Sequence, residues 1–159
     1  MRELRIIEDD LTGAEIAALL TLHLAEMHQW SPPQSVHAMP LERLRAGDVT
    51  FWSAWAVSGA KGERLAGCGA LKATGPDYGE LKSMRVHPDF RRTGVGRAIL
   101  EHLLSEARER GYNRVSLETG RPDAFLPART LYAAYGFSEC PPFGDYVADN
   151  FSICMIRTL

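Results

Sequence analysis

Residues 78–111 read YGELKSMRV (Tyr78–Val86), HPDF (His87–Phe90), RRTGVGR (Arg91–Arg97) and AILEHLLSEARERG (Ala98–Gly111), and this stretch decides the fold. Its first segment suits a β-strand, but its apolar residues fall at Leu81, Met84 and Val86, so the two-residue alternation changes parity. The strand is therefore irregular or bulged, and bulges concentrate near functional sites. His87-Pro88 ends it, because proline donates no ladder hydrogen bond and pushes its predecessor away from helix. Beyond Gly94 a helix is predicted from the stripe Val95, Ala98, Ile99, Leu103 and Ala107, with Gly111 as a C-terminal stop behind Arg108 and Arg110. Between strand and helix, two glycines allow a ligand to approach the backbone, and the first amides of the helix have no partners within it. Arg91, Arg92 and Arg97 add charge where the helix dipole already favours an anion, so this turn is a candidate phosphate site. It is not a P-loop, which needs a Gly-Lys-Ser/Thr ending. Nor is it a dinucleotide fingerprint, which needs a small residue where Ile99 stands.

Around this centre the chain has the size and composition of one soluble domain spanning residues 1–159: 17.6 kDa, 45% hydrophobic and 24% charged. The formal net charge of −2 gives no basic excess for nucleic acid or an anionic membrane. The average hides a gradient. Residues 1–50 carry four Arg against eight acidic groups, whereas residues 82–114 carry eight Lys or Arg against four acidic groups. Three scattered cysteines (Cys68, Cys140, Cys154) disfavour a disulfide framework and a structural zinc site, so no metal is expected. Without a signal core, a transit-like start or an 18-residue apolar run, a cytoplasmic protein with no membrane partner is expected.

The remaining elements follow from local pattern. Leu4 and Ile6 suit a short first strand. Thr12-Gly13-Ala14-Glu15 has capping-box spacing ahead of a helix with the stripe Ile16, Leu19, Leu20, His23, Leu24 and Met27, stopped by Ser31-Pro32-Pro33. Residues 31–48 read as a surface loop or short helix. Val49–Val57 and Arg64–Ala73, separated by a Ser58–Glu63 turn, read as a β-hairpin. Arg114–Glu118 reads as a strand, Pro127–Tyr135 as a short helix and Phe151–Arg157 as a terminal strand. The order, roughly β-α-β-β-β-α-β-α-β-β, implies a mixed α/β (α+β) fold around one sheet.

Arg91-x-x-Gly94-x-Gly96 resembles the acetyl-coenzyme-A pyrophosphate loop, R/Q-x-x-G-x-G/A, of the GNAT superfamily of N-acetyltransferases. The resemblance extends to the preceding strand with His87-Pro88, to the following helix, and to Ala128-x-x-Leu131-Tyr132-x-x-x-Gly136-Phe137, similar to the family's A-x-x-L-Y-x-x-x-G-F segment. It is tight over about residues 78–140 and, by element order, spans nearly the whole chain. Within the superfamily the chain looks most like the small bacterial members.

What the resemblance implies is a central mixed sheet with a splayed strand pair, flanked by helices, and transfer of acetyl from acetyl-CoA to an amine by direct attack in a ternary complex. The backbone of Met84 and Val86 would bind pantetheine like an added strand. Amides from Arg92 through Thr93, Gly94, Val95 and Gly96 to Arg97, with Arg91 beside them, would hold the pyrophosphate. Tyr132 occupies the position of the family's usual general acid, and Glu80 the spacing of a catalytic glutamate. A packed core Tyr and a strand Glu paired with Lys82 or Arg85 are the structural alternatives. His28, His37 and Glu118 are fallback bases. Trp30, His37, Glu118 and Arg129 are expected on the acceptor side, Arg129 and Arg121 holding a carboxylate or pairing with Asp123 or CoA phosphate. Trp52 and Trp55 read as sheet packing, His23 as a core histidine, and Cys140 as no nucleophile. The expected partner is a small-molecule amine, with a homodimer plausible by resemblance. The alternatives are a protein or peptide acceptor and a non-catalytic CoA-binding domain.

Overall fold

The computed structural model describes residues 3–57 and 62–159. Its chain order is β1 (Leu4–Glu8), α1 (Ala14–Trp30), α2 (Leu41–Leu44), β2 (Val49–Val57), β3 (Glu63–Ala73), β4 (Tyr78–Val86), α3 (Val95–Glu109), β5 (Arg114–Gly120), α4 (Leu126–Ala134), β6 (Ser138–Cys140) and β7 (Ser152–Thr158). The described residues form a seven-stranded sheet in the order β1-β2-β3-β4-β5-β7-β6. Only the β4–β5 pair among these neighbours is parallel, and α3 is the crossover that a parallel pair requires. The expected mixed α/β architecture, one central sheet flanked by helices, is therefore present. The β2–β3 hairpin forms as expected, and its turn at residues 58–61 lies outside those described.

Helices cover both faces. Val95, Ile99, Leu100, Leu103, Leu104 and Ala107 of α3 are buried against Trp52, Leu71, Leu81, Val115 and Leu117, with Leu131 and Tyr132 of α4 in the same cluster. Each fully buried Leu or Ile there contributes roughly 1.5–3 kcal/mol of transfer free energy. On the opposite face Ile16 and Leu19 of α1 and Leu44 of α2 pack on Phe51, Leu65, Cys68 and Ala70. Trp52 lies in the first cluster and Trp55 against the second, as sheet packing requires.

Two local expectations change. Thr12 does not cap α1: its hydroxyl donates to Asp10 Oδ1 at 2.6 Å, and Asp10 also accepts the Thr12 amide at 3.1 Å. That local turn claims the threonine, and the helix starts behind Gly13 with no side-chain cap. Leu24 leaves the α1 stripe and is 39% exposed, because the buried line runs through Ile16 and Leu19 and position 24 falls on its flank.

The parity change in β4 is a real irregularity. Cys68 pairs with Arg85 but Ala70 with Lys82, so Ser83 and Met84 together oppose Gly69. Ser83 sits at φ 54, the left-handed region. Close approach here requires glycine on β3: a Cβ on Gly67 would meet the Arg85 carbonyl at 2.6 Å and Ile99 Cδ1 at 2.8 Å. The bulge matters because the β4–β5 ladder stops just before it. Tyr78, Gly79 and Glu80 pair with Arg114, Val115 and Ser116, and past Glu80 the two strands part.

Candidate active site

The splay leaves one edge of β4 open from Leu81 onwards, across the segment that holds Met84 and Val86. Unpaired N–H and C=O groups on such an edge accept an extended chain as an added strand. The chain then runs through a 3-10 turn at Pro88–Phe90, in which the Asp89 amide donates to His87 Nδ1 at 3.1 Å. Phe90, 1% exposed, anchors this turn in the core, and Thr93 Oγ1 donates to the Phe90 carbonyl at 2.5 Å. Arg92 at φ 60 and Gly94 at φ 88 turn the backbone into α3. Gly94 is the N-cap and lends no side chain, while its carbonyl accepts from Ala98 at 3.0 Å. The amides of Val95, Gly96 and Arg97 therefore start the helix with no carbonyl behind them within it, the arrangement that binds phosphate. Arg91, Arg92, Thr93, Gly94 and Arg97 are exposed, and Val95 is buried as the first core residue of α3. Arg91 lies 3.8 Å from Glu26 of α1, which also pairs with the buried Arg85.

On the α1 side of the sheet, charge converges on the splay. Glu80, 4% exposed, lies opposite Ser116 in the last row of the β4–β5 ladder. The next position along that face is Lys82 on β4 and Glu118 on β5, where the strands no longer pair. Lys82 Nζ lies 3.4 Å from Glu80 Oε2 and donates to the Tyr146 hydroxyl at 2.6 Å. The same hydroxyl donates to Glu80 Oε2 at 2.5 Å. Glu80 is thus already engaged by two partners. The carboxyl of Glu118 is pushed up to about 8, by burial first; Lys82 opposes the shift, and Glu80 and Asp149 reinforce it.

Residues 141–151 reach across this cluster to residues 31–40. The Tyr146 ring packs edge-on against His37 at 4.9 Å and against Phe143 at 5.1 Å. Asp149 accepts from Ser35 Oγ at 2.8 Å and from the amides of Phe151 and Ser152 at 2.7 Å each. His37 Nε2 is buried with no hydrogen-bond partner among the described residues. Burial lowers this imidazole's pKa, Lys82 adds to the shift, and the neutral ring is favoured. Tyr132, 6% exposed on α4, packs its ring on Phe137 at 5.8 Å. Its phenol is pushed well above its ordinary value, by burial and then by Glu118, and so keeps its proton.

Other expected residues take different places. Trp30, at the end of α1, stacks edge-on against Phe125 at 5.4 Å and so ties the α1 wall to the end of β5. Arg129, expected on the acceptor side, donates from Nη1 to the carbonyls of Gly120, Arg121 and Pro122 at 2.7, 2.9 and 3.1 Å. The guanidinium clamps the chain at the end of β5, where the Pro122 carbonyl also accepts the Phe125 amide at 2.9 Å. Arg121 is held by the Ser152 carbonyl and Glu139, at 2.8 and 2.7 Å. His28 is exposed on α1. His23 is half-buried with its Nδ1 inside, and desolvation depresses its imidazole to about 4, with Arg85 adding to the effect. Sequence reading missed Tyr146 and Asp149, which stand in a Pro- and Gly-containing loop with no periodicity to mark them. Among the described residues no group of three or more His, Cys, Asp or Glu converges as a metal site, and no helix is long and apolar enough to cross a membrane.

Residues 16–137 match the model of the acetyltransferase (GNAT) family. The chain is 48% identical over 151 residues to the uncharacterized N-acetyltransferase YsnE of Bacillus subtilis, covering 95% of this chain and 97% of the relative. It is 36% identical over 129 residues to the IAA acetyltransferase of Azospirillum brasilense, covering 80% of each. Among solved structures it superposes on one from Klebsiella pneumoniae, assigned as an acyl-CoA N-acyltransferase, with a TM-score of 0.76 at 26% identity, covering 98% of this chain and 97% of that one. The chain therefore belongs to the acetyltransferase (GNAT) family and is an acetyl-CoA-dependent acetyltransferase.

Proposed function

We propose that the protein transfers acetyl from acetyl-CoA to a primary amine of a small molecule, by direct attack with both substrates bound. The observation that carries the small acceptor is the closure of the site's acceptor end, where Tyr146 and Asp149 bridge to Lys82, Glu80, His37 and Ser35. A peptide acceptor needs an open groove at this place. The cofactor residues on this reading are those of the helix start, Arg91 to Arg97, and the open edge at Met84 and Val86. They fit the ligand because the first supplies unpartnered amides beside arginines and the second supplies backbone for an added strand.

The chemistry needs two proton transfers. An amine arrives as an ammonium and must lose a proton before its lone pair can reach the thioester carbon. We assign this to Glu118 rather than Glu80, because Glu80 is held by Tyr146 and Lys82 while Glu118 faces the gap with a carboxyl near 8. Glu80 then orients Lys82 and Tyr146 around the acceptor. Tyr132, protonated throughout the working range, donates to the departing sulfur. Trp30 and His37 form the acceptor wall, and the unpartnered His37 Nε2 is a ready contact for a polar group of the amine.

Initial velocities of thiol release, varied in both acetyl-CoA and amine across a panel of small primary amines, test this reading. Intersecting double-reciprocal lines are expected. Parallel lines would contradict direct attack, and no turnover with any small amine would contradict the small acceptor. In the same assay Tyr146→Phe removes two hydrogen bonds to charged groups, so the amine KM is expected to rise about tenfold. Acetyl-CoA KM should stay within about twofold, because none of its proposed contacts includes Tyr146.

A further inference from the structure

We propose that Cys140 and Cys154 form a dithiol site behind the acceptor end, which closes to an intrachain disulfide by exchange with a low-molecular-weight disulfide. In the β6–β7 ladder Cys140 stands directly opposite Cys154, and in the β5–β7 ladder Cys154 stands directly opposite Glu118. Directly opposed residues share a face, so Glu118, Cys154 and Cys140 make one row across three strands. Opposed Cα atoms in antiparallel strands are about 4.5–5.5 Å apart, inside the roughly 4.4–6.8 Å span that a disulfide bridges. Both cysteines are free, and both line a cavity of about 420 Å³ with Pro141, Pro142 and Asp149. The cavity gives a small disulfide a way in. Cys68 has none: it is fully buried on β3, and its thiol donates to the Ser83 carbonyl at 3.3 Å.

Exposure sets the order of events. Cys140 is half-buried and Cys154 only 5% exposed, so the Cys140 thiolate attacks first. One S–S bond of the reagent breaks, a bond from Cys140 to one of its sulfurs forms, and the other sulfur leaves as a thiolate that takes up a proton. Cys154 then gives up its proton and attacks the Cys140 sulfur, expelling the second thiol. Two protein thiols are oxidised by two electrons and one reagent disulfide is reduced to two thiols. Burial pushes both thiols up, Cys154 to about 11, so each attack draws on a small thiolate fraction. The rate should therefore climb about tenfold per pH unit through the neutral range. Because Cys154 adjoins Glu118, closing the bond changes the surroundings of the proposed base and fixes β6 on β7 beside the acceptor.

The test is to incubate the folded chain with oxidised glutathione between pH 7 and 9 and to map its peptides without reduction. The expected product is lighter by about 2 Da and carries a Cys140–Cys154 cross-link, with Cys68 still a thiol. Cys154→Ser should stop at one glutathione on Cys140, and Cys140→Ser should gain no cross-link. A wild-type product that keeps a stable mixed disulfide, or no reaction while the chain is folded, would overturn the site. If either variant fails to fold, the wild-type peptide map decides alone. Acetyl transfer by the oxidised protein should fall by about fivefold or more and return with dithiothreitol. This arm alone rests on the reading of Glu118: a cross-link with unchanged transfer would keep the dithiol site and overturn its link to the base.

Discussion

Replacing Glu118 by Gln is expected to lower kcat by about 10²–10⁴-fold, the usual worth of a positioned general base, while making the protein more heat-stable. The two effects have one cause. Burial raises the Glu118 carboxyl from 4.5 to about 8, so the folded chain holds a proton that the unfolded chain has already lost. Between those values the native state binds more protons than the unfolded state, and stability falls as pH rises through the window. Above about 8 the full cost of a buried carboxylate is present. Gln carries no such charge, so its gain in Tm over wild type should be small at pH 5 and grow toward pH 9, at roughly 2–4 °C per kcal/mol recovered. Activity runs the other way. A base works deprotonated, so wild-type kcat/KM should rise with pH to a plateau above about 8, and the variant should lose that break. Melting curves and pH–rate profiles of both proteins check this. A purely structural Glu118 would leave the rate profile unchanged.

Tyr132→Phe is expected to cost about 10²-fold in kcat, because the leaving thiolate loses its proton donor. The ring itself is retained, with its packing on Phe137, so Tm should move by no more than a few degrees. Burial and the nearby Glu118 hold the phenol well above its ordinary value, so the donor keeps its proton at alkaline pH. The wild-type profile should therefore show no falling limb up to about pH 10, the ordinary tyrosine value. Unchanged turnover in an intact Tyr132→Phe protein would remove the acid assignment and leave a packed core tyrosine.

The sequence was most informative where local pattern and tertiary role coincide. Leu81, Met84 and Val86 broke alternation, and the chain is bulged at Ser83–Met84 beside the end of the β4–β5 ladder. Gly94, Gly96 and the arginines around them marked a helix start whose stripe became the core face of α3. It was least informative where partners come from afar. Along the chain Glu80 stands first as the base and Glu118 only as a fallback, because nothing local shows which carboxylate is already engaged. Only the fold brings Tyr146, sixty-six positions away, onto Glu80 and leaves Glu118 facing the gap. For Arg129 the sequence suggests an acceptor carboxylate, Asp123 or CoA phosphate as partner, because nothing local announces the three carbonyls at the end of β5. The apposition of Cys140 and Cys154 depends on the register of β6, a strand of three residues, too short to carry a periodic signal.

A small amine at a closed acceptor end is tested most directly by kcat/KM at saturating acetyl-CoA, measured for a panel of small primary amines and for peptides whose N-terminal residues match them. The best small amine is expected to exceed every peptide by about tenfold or more, since a peptide must displace the Tyr146 and Asp149 contacts to enter. A peptide that matches or surpasses the best small amine would contradict the proposal.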